Sequence, residues 1–270
     1  MSRQAALTPG QATPTKRTDL ERPSPPAAEG RPVAGEAAQV RQILTIKLRY
    51  VFGVLWLCAA VIVLLSLLQD VLIFAVPEAG LSDRIYRLDL DTESSLPTWF
   101  ATSLMMFCAL SLLFVAVQVN REKRRQAIPW FLLAIIFCAL SLDEIAMIHE
   151  WLSAVLSARI DNSGLFYFAW TLPALVICLA GLLCFVPFIL SFKGFDRGLL
   201  IGSAVVFLSG AIGMEMLGGA QAEVAGIETL HYRAFATIEE SLEYAGVLLF
   251  LLFIFRQLRA SHNKTTICFE

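Results

Sequence analysis

The chain has 270 residues, of which 57% are hydrophobic and only 16% are charged, and its mean hydropathy of +0.67 excludes an ordinary soluble domain. The net charge of −2, without any run of Lys and Arg interleaved with aromatic residues, gives no reason to expect a nucleic-acid partner. The composition therefore predicts an all-α, polytopic membrane protein whose main partner is the lipid bilayer.

The first segment differs from the rest of the chain. Residues 1–46 are rich in Pro, Ala, Gly and charged residues and lack apolar periodicity, which predicts a disordered cytoplasmic tail. Residues 47–257 carry runs of about 20 apolar residues, the length that crosses a bilayer, and predict a six-helix transmembrane domain. Residues 258–270 are expected to be a second cytoplasmic tail. The predicted spans are Tyr50–Val76, Trp99–Val119, Ile128–Val155, Phe166–Phe192, Gly198–Gly218 and Tyr232–Phe255.

The distribution of Lys and Arg predicts the orientation of the spans. Basic residues concentrate on the cytoplasmic side of membrane proteins, and here they precede the first span, follow the sixth, and lie between spans two and three and spans four and five. The loops on the other side are more acidic, above all residues 77–97. We therefore predict a six-transmembrane-helix bundle with both termini in the cytoplasm.

Two further features concern helix packing. The fifth span is rich in glycine and serine, which lets helix backbones approach closely in lipid. Asp70, near the end of the first span, is interpreted as a snorkelling or capping group rather than a ligand.

The ionisable residues of the spans all fall at one level, in the outer half of the membrane. Each such group costs about 3 kcal/mol at bilayer depth, so several together indicate a functional site. They occur in S-L-D-E-I-A-M-I-H-E-W (residues 141–151), in G-M-E-M-L-G-G of the fifth span and in the sixth span. The candidate site residues are Asp143, Glu144, His149, Glu150, Glu215, His231, Glu239, Glu240 and Glu243.

Helical geometry suggests which of these face inward. On a continuous third span, Asp143 and Glu150 lie about 20° apart, whereas Glu144 and His149 diverge by about 140°. We therefore expect Asp143 and Glu150 to face the acids of the fifth and sixth spans, with Glu144 and His149 as further ligands or in a surrounding layer. His231 is as consistent with a surface position as with a ligand.

The charge of the cluster suggests a metal. Spans three, five and six carry no Lys or Arg at the depth of the acids, with Arg233 the nearest, so the carboxylates must share protons or bind a cation. Carboxylates and histidines from facing helices are the ligands of helix-bundle di-metal sites, although the E-x-x-H spacing of those proteins is absent. We predict one or two divalent ions, iron, zinc or manganese, with copper less favoured because the nearby methionines are interpreted as packing residues.

The segments L-S-L-D-E-I-A-M-I-H-E, G-A-I-G-M-E-M-L-G-G and A-T-I-E-E-S-L-E-Y-A-G, in this order, carry a resemblance. They resemble a group of multi-pass bacterial inner-membrane proteins without an assigned function, over about residues 128–255. The resemblance implies a location in a bacterial inner membrane and a shared acidic site at all the candidate residues except His231. It implies no activity.

Three functions are compatible with these patterns. The first is a membrane-embedded metalloprotein, as an enzyme on a lipid or quinone-like substrate reached from the periplasmic side. The second is a proton- or cation-coupled transporter that uses the same acids. The third is a non-catalytic subunit or assembly factor that binds a membrane-protein partner through the acidic outer loop or the N-terminal tail. The first is favoured because the inner halves of the spans offer few polar groups for a transport route.

Overall fold

The computed structural model describes residues 47–76, 84–122 and 124–260, and this part of the chain is all-helical, without a strand. Residues 1–46 and 261–270, where the tails were predicted, lie outside the described residues. A π-helical segment, Ser209–Met214, joins two of the helices end to end. The helices are α1 (Leu48–Phe74), α2 (Leu96–Glu122), α3 (Arg124–Ala146), α4 (Ile148–Ser157), α5 (Thr171–Ser191), α6 (Gly194–Leu208), α7 (Glu215–Ala225) and α8 (Leu230–Ala260).

Five helical stretches among the described residues are long and apolar enough to cross a membrane. They are α1, α2, α3, α5 and the continuous run Gly194–Ala225 through α6, the π-helical segment and α7. These stretches correspond to the first five predicted spans. The predicted sixth span lies in α8, which is the longest helix at 31 residues but is not one of the five.

The predicted third span is not one continuous helix. Met147 adopts a left-handed backbone conformation, with φ of 53° and ψ of 40°, and separates α3 from α4. A residue with a Cβ occupies this region only at a cost, so the break must be held by the contacts around it. The expectation that the angles between Asp143, Glu144, His149 and Glu150 follow a single helix is therefore wrong.

Helix α8 lies at the centre of the described bundle and packs against α1, α2, α6, α7 and the π-helical segment. Its C-terminal half carries side chains that are completely buried, and so does the face of α2 that packs on α3 and α8. These residues are Leu248, Leu251, Phe253 and Ile254 on α8, and Cys108, Leu112 and Ala116 on α2. The spacing of four residues on α2 puts its buried side chains on one helical face.

Two glycines bring the fifth predicted span into close contact with α8. A Cβ on Gly246 would lie 2.6 Å from the backbone nitrogen of Phe207, and a Cβ on Gly210 would lie 2.7 Å from the carbonyl oxygen of Glu239. Neither distance is possible for a real side chain, so only glycine permits this packing. Close approach was expected from the small residues of this span, but Gly202 and Gly213 do not take part in it.

Residues 84–95 of the predicted acidic outer loop pack onto the end of the bundle. Asp70 and Asp89 are each 1% exposed and Arg233 is 5% exposed. Arg84 pairs with Asp70 at 2.5 Å, and Arg233 pairs with Asp89 and, at 2.6 Å, with Asp91. Asp70 is therefore not a snorkelling or capping group but one member of a buried ion-pair network that joins α1, this segment and α8.

Candidate functional site: a carboxylate-lined cavity

A cavity of about 1210 Å³ lies between α3, α4, α5, α6, α8 and the segment of residues 84–95. Eight of the nine candidate residues line it; His231 is exposed and is not among the lining residues. Asp91 and Glu93 line it as well, which brings the carboxyl groups on the described wall to nine. The carboxyl-bearing lining residues are Asp91, Glu93, Asp143, Glu144, Glu150, Glu215, Glu239, Glu240 and Glu243.

The break at Met147 turns His149 back toward the end of α3. The Nδ1 atom of His149 lies 2.9 Å from Oδ2 of Asp143, and the backbone N–H of His149 donates to Oδ1 of the same carboxylate at 2.9 Å. Both oxygens of Asp143 are thus committed to one residue. Because Nδ1 is held in this way, Nε2 is the ring nitrogen that is left for another ligand.

Three side chains on this wall are close enough to hold one metal ion. Glu93, His149 and Glu150 each offer a ligand atom, and these atoms lie within 4.8 Å of one another. The Oε2 atom of Glu93 is buried and has no hydrogen-bond partner among the described residues. A buried carboxylate oxygen without a donor is costly, and a cation would satisfy it. The arrangement resembles a histidine–metal site in which Asp143 orients the imidazole from behind.

Glu93 was not among the candidate site residues predicted from the sequence. It reaches the site because the segment of residues 84–95 folds onto the end of the bundle. Ser95 caps α2 by accepting a hydrogen bond at Oγ from the backbone N–H of Thr98 at 3.2 Å. Just before it, the Asp89 carboxylate accepts hydrogen bonds from Thr92 and from the backbone of Asp91. These bonds fix the turn that carries Glu93. The acidic composition of the loop was the available signal, but composition does not reveal that the loop folds inward.

Glu215 lies at the start of α7 and is tied to both neighbouring walls. The indole Nε1–H of Trp170 donates to Oε1 of Glu215 at 2.8 Å, and the rings of Trp170 and His149 have centroids 5.1 Å apart. The carboxyl groups of Glu215 and of Glu239 on α8 are also neighbours on this wall. Two carboxylates in contact cannot both keep their charge without a proton or a cation between them.

Glu239, Glu240 and Glu243 line the cavity together, as expected from their arc of about 100° on one helix. The close approach at Gly210 presses the π-helical segment against this part of α8, because the neighbours of that glycine include Glu239 and Glu243. The packing of small residues therefore sets where these glutamates face the cavity.

The acidic surroundings of the cluster act on both Glu93 and His149. Burial, reinforced by the charge of Glu144, raises the pKa of Glu93 to about 7. The imidazole of His149 lies against the Asp143 carboxylate and close to the carboxyl groups of Glu93 and Glu150. The Asp143 carboxylate thus stabilises positive charge at the imidazole or beside it.

The comparisons with known proteins supply a family but no activity. No curated protein and no solved structure matches the chain. The model of a domain of unknown function, DUF8692, matches residues 54–258, which include every candidate site residue and the whole cavity wall. The chain belongs to this family of domains of unknown function.

Proposed function

We propose that the chain is a metal-binding integral membrane protein whose carboxylate and histidine site acts on a lipid or quinone-like substrate. The observation that carries the proposal is the convergence of Glu93, His149 and Glu150, with ligand atoms within 4.8 Å of one another, on the wall of a large cavity. The buried and unpartnered Oε2 atom of Glu93 supports a cation at this point.

In the topology that we propose, α8 is the sixth membrane span and both termini lie in the cytoplasm. The Lys and Arg residues between spans support this orientation. In it, Glu93, α4 and the carboxyl groups belong to the periplasmic half of the membrane. The location in a bacterial inner membrane rests on the sequence resemblance alone.

The donor set favours particular metals. Two carboxylates and one imidazole suit iron, manganese or zinc, while copper is less favoured because it prefers softer ligands. Three protein ligands leave at least one coordination position for water or substrate, as in catalytic zinc sites. A metal at such a position activates water or polarises a carbonyl group. The carboxyl groups of Glu215 and α8 are the candidates for a second metal or for a general base.

The lining of the cavity favours a metal-binding protein over a proton- or cation-coupled transporter. A transport route needs polar groups from one end of the bundle to the other. Beyond Asp143, the residues of α3 that line the cavity are Leu140, Phe137, Ile136 and Leu133. The α3 side of the cavity is therefore apolar where a proton or cation would have to continue.

Elemental analysis of the purified protein tests the proposal. We expect about one or two metal ions per chain, and Glu93→Ala and Glu150→Ala should each remove most of the metal. Glu228→Ala is the matched control, because Glu228 is an exposed glutamate outside the cavity lining. A monodisperse wild-type protein without bound iron, zinc or manganese would overturn the metal site.

A further inference from the structure

The cavity continues from the carboxyl groups into a long apolar section. On α5 its lining residues follow one another at intervals of one or three positions, which places them on one helical face. They are Pro173, Ala174, Ile177, Cys178, Gly181, Leu182, Phe185, Phe188 and Ile189. Leu133 and Phe137 of α3, Leu200 of α6 and Phe250 of α8 close the other sides.

The dimensions of this section fit one extended hydrocarbon chain. From Ile177 to Ile189 the α5 face runs for about 18 Å at 1.5 Å per residue. An alkyl chain with bonds of about 1.5 Å and angles near 111° advances about 1.25 Å per carbon, so this length holds about 14 carbons. The whole cavity, at about 1210 Å³, exceeds the range of about 300–1,000 Å³ that is usual for small-molecule pockets.

The protein does not fill this space with its own side chains. Ile177 is 69% exposed, Leu182 is 55% exposed, and Val205 on the facing α6 is 61% exposed, although all three line the cavity. None of the most apolar stretch of α5 is buried. Because α5 is apolar enough to span a membrane, this surface is open to hydrocarbon chains of the surrounding lipid rather than to water.

The carboxyl-lined end of the cavity restricts the charge that the head group of a bound lipid can carry. Nine carboxyl groups and one histidine line the cavity, and no Lys or Arg does so among the described residues. The nearest cation on α8, Arg233, is already paired with Asp89 and Asp91. In the metal-free protein, a phosphate or carboxylate head would therefore meet nine carboxyl groups and a single imidazole, which disfavours a negatively charged head.

We propose that the cavity binds a lipid with one long hydrocarbon chain and an uncharged polar head, such as a monoacylglycerol. The chain lies along α5 between α3 and α6, and the head reaches Glu93, His149 and Glu150. This inference names the substrate class of the proposed metal site and rests on that function only for what happens to the head. Binding of the chain depends on the apolar section and not on a metal.

A photoactivatable monomyristoylglycerol with a diazirine near the end of its chain tests the inference on the purified, chelator-treated protein. We expect crosslinks to the cavity-lining residues of α5 and α8, displaced by unlabelled monomyristoylglycerol. Myristate, which carries a negative head on the same chain, should compete at least about tenfold less well. Monooctanoylglycerol should also compete at least about tenfold less well, because six fewer methylenes are buried.

A substitution within the apolar section provides the matched variant. Gly181 lines the cavity, and a Cβ there would meet no atom within 4 Å, so Gly181→Phe extends into open cavity space. Gly53 on α1 is equally free of neighbours but lies away from the cavity, which makes Gly53→Phe the control. We expect crosslinking to fall at least about tenfold in the first variant and to stay at the wild-type level in the second.

The outcomes separate this inference from the metal proposal. Equal crosslinking of the two glycine variants, equal competition by myristate, or labels confined to the outer face of α1 would each overturn the lipid site. If Gly181→Phe does not give a monodisperse protein, the crosslink positions and the competition series on the wild-type protein decide alone. Because the protein is chelator-treated, a lipid result is obtained whether or not the metal site is correct.

Discussion

Replacing Asp143 with asparagine perturbs the metal site without touching a proposed ligand. Both oxygens of Asp143 accept hydrogen bonds from His149, one from the ring Nδ1 and one from the backbone N–H, each at 2.9 Å. Asparagine has the same shape but only one oxygen acceptor, and its amide nitrogen faces a donor. Asp143→Asn therefore keeps one of the two bonds and removes the carboxylate charge behind the imidazole.

The expected loss of metal affinity is about 10- to 100-fold. A hydrogen bond to a charged group contributes about 1.5–3 kcal/mol, and each 1.4 kcal/mol is about tenfold in affinity. Mutation of residues that hydrogen-bond to metal-ligating histidines typically lowers metal affinity by a similar factor, about 10- to 100-fold. His149→Ala, which removes the ligand itself, should cost more than this.

The affinities are measured by titrating chelator-treated protein with zinc or iron in a competing metal buffer. Asp161→Asn is the control, because Asp161 is exposed and does not line the cavity. An unchanged affinity in Asp143→Asn would refute the reasoning that Asp143 orients His149. A loss as large as that of His149→Ala would instead indicate that Asp143 is a direct ligand.

Two further predictions concern stability, both measured by thermal unfolding of the purified protein in detergent. Gly246→Ala should destabilise the bundle by about 1–3 kcal/mol, because the new Cβ would lie 2.6 Å from the backbone of Phe207. Gly202→Ala, in open space on the same pair of helices, should not destabilise it, and equal effects would contradict the close-contact argument. Arg233→Met should cost about 3–5 kcal/mol, since it removes the closer cation of the buried Asp89 and leaves Arg84, at 3.5 Å, to compensate its charge. Wild-type stability in that variant would show that the ion-pair network does not hold the segment of residues 84–95.

Much of the helical organisation could be predicted from the sequence, because apolar length is a property of each segment by itself. The five membrane-capable stretches coincide with predicted spans to within a few residues at most ends. The convergence of most of these acids on one cavity was also predictable, since the rise per residue places them at similar positions along neighbouring helices. Eight of the nine candidate residues do line one cavity.

The break at Met147 could not be predicted, because A-M-I contains neither glycine nor proline and the left-handed turn is held by tertiary contacts. Because a continuous helix was predicted, His149 was expected to point away from the inward face. The left-handed turn instead brings His149 into contact with Asp143 and close to Glu150. The apolar periodicity of the sequence predicts that a helix is present. It does not predict where the helix ends when tertiary contacts determine that end.

The inward position of Glu93 was hidden for a different reason. Its loop reads as a solvated acidic segment, and its burial depends on pairing between Arg233 on α8 and Asp89, which are separated by more than half of the described chain. Ion pairs between distant segments leave no local pattern. The sequence therefore indicated an acidic site, but not the group of Glu93, His149 and Glu150 that the structure brings together.

X-ray absorption spectroscopy at the metal edge of the purified protein is the most direct test of a metal bound by Glu93, His149 and Glu150. We expect a first shell of only nitrogen and oxygen atoms at about 2.0–2.2 Å, with the scattering of a single imidazole that disappears in His149→Ala. Sulfur in the first shell, or an imidazole signal that survives in His149→Ala, would contradict a metal held by Glu93, His149 and Glu150.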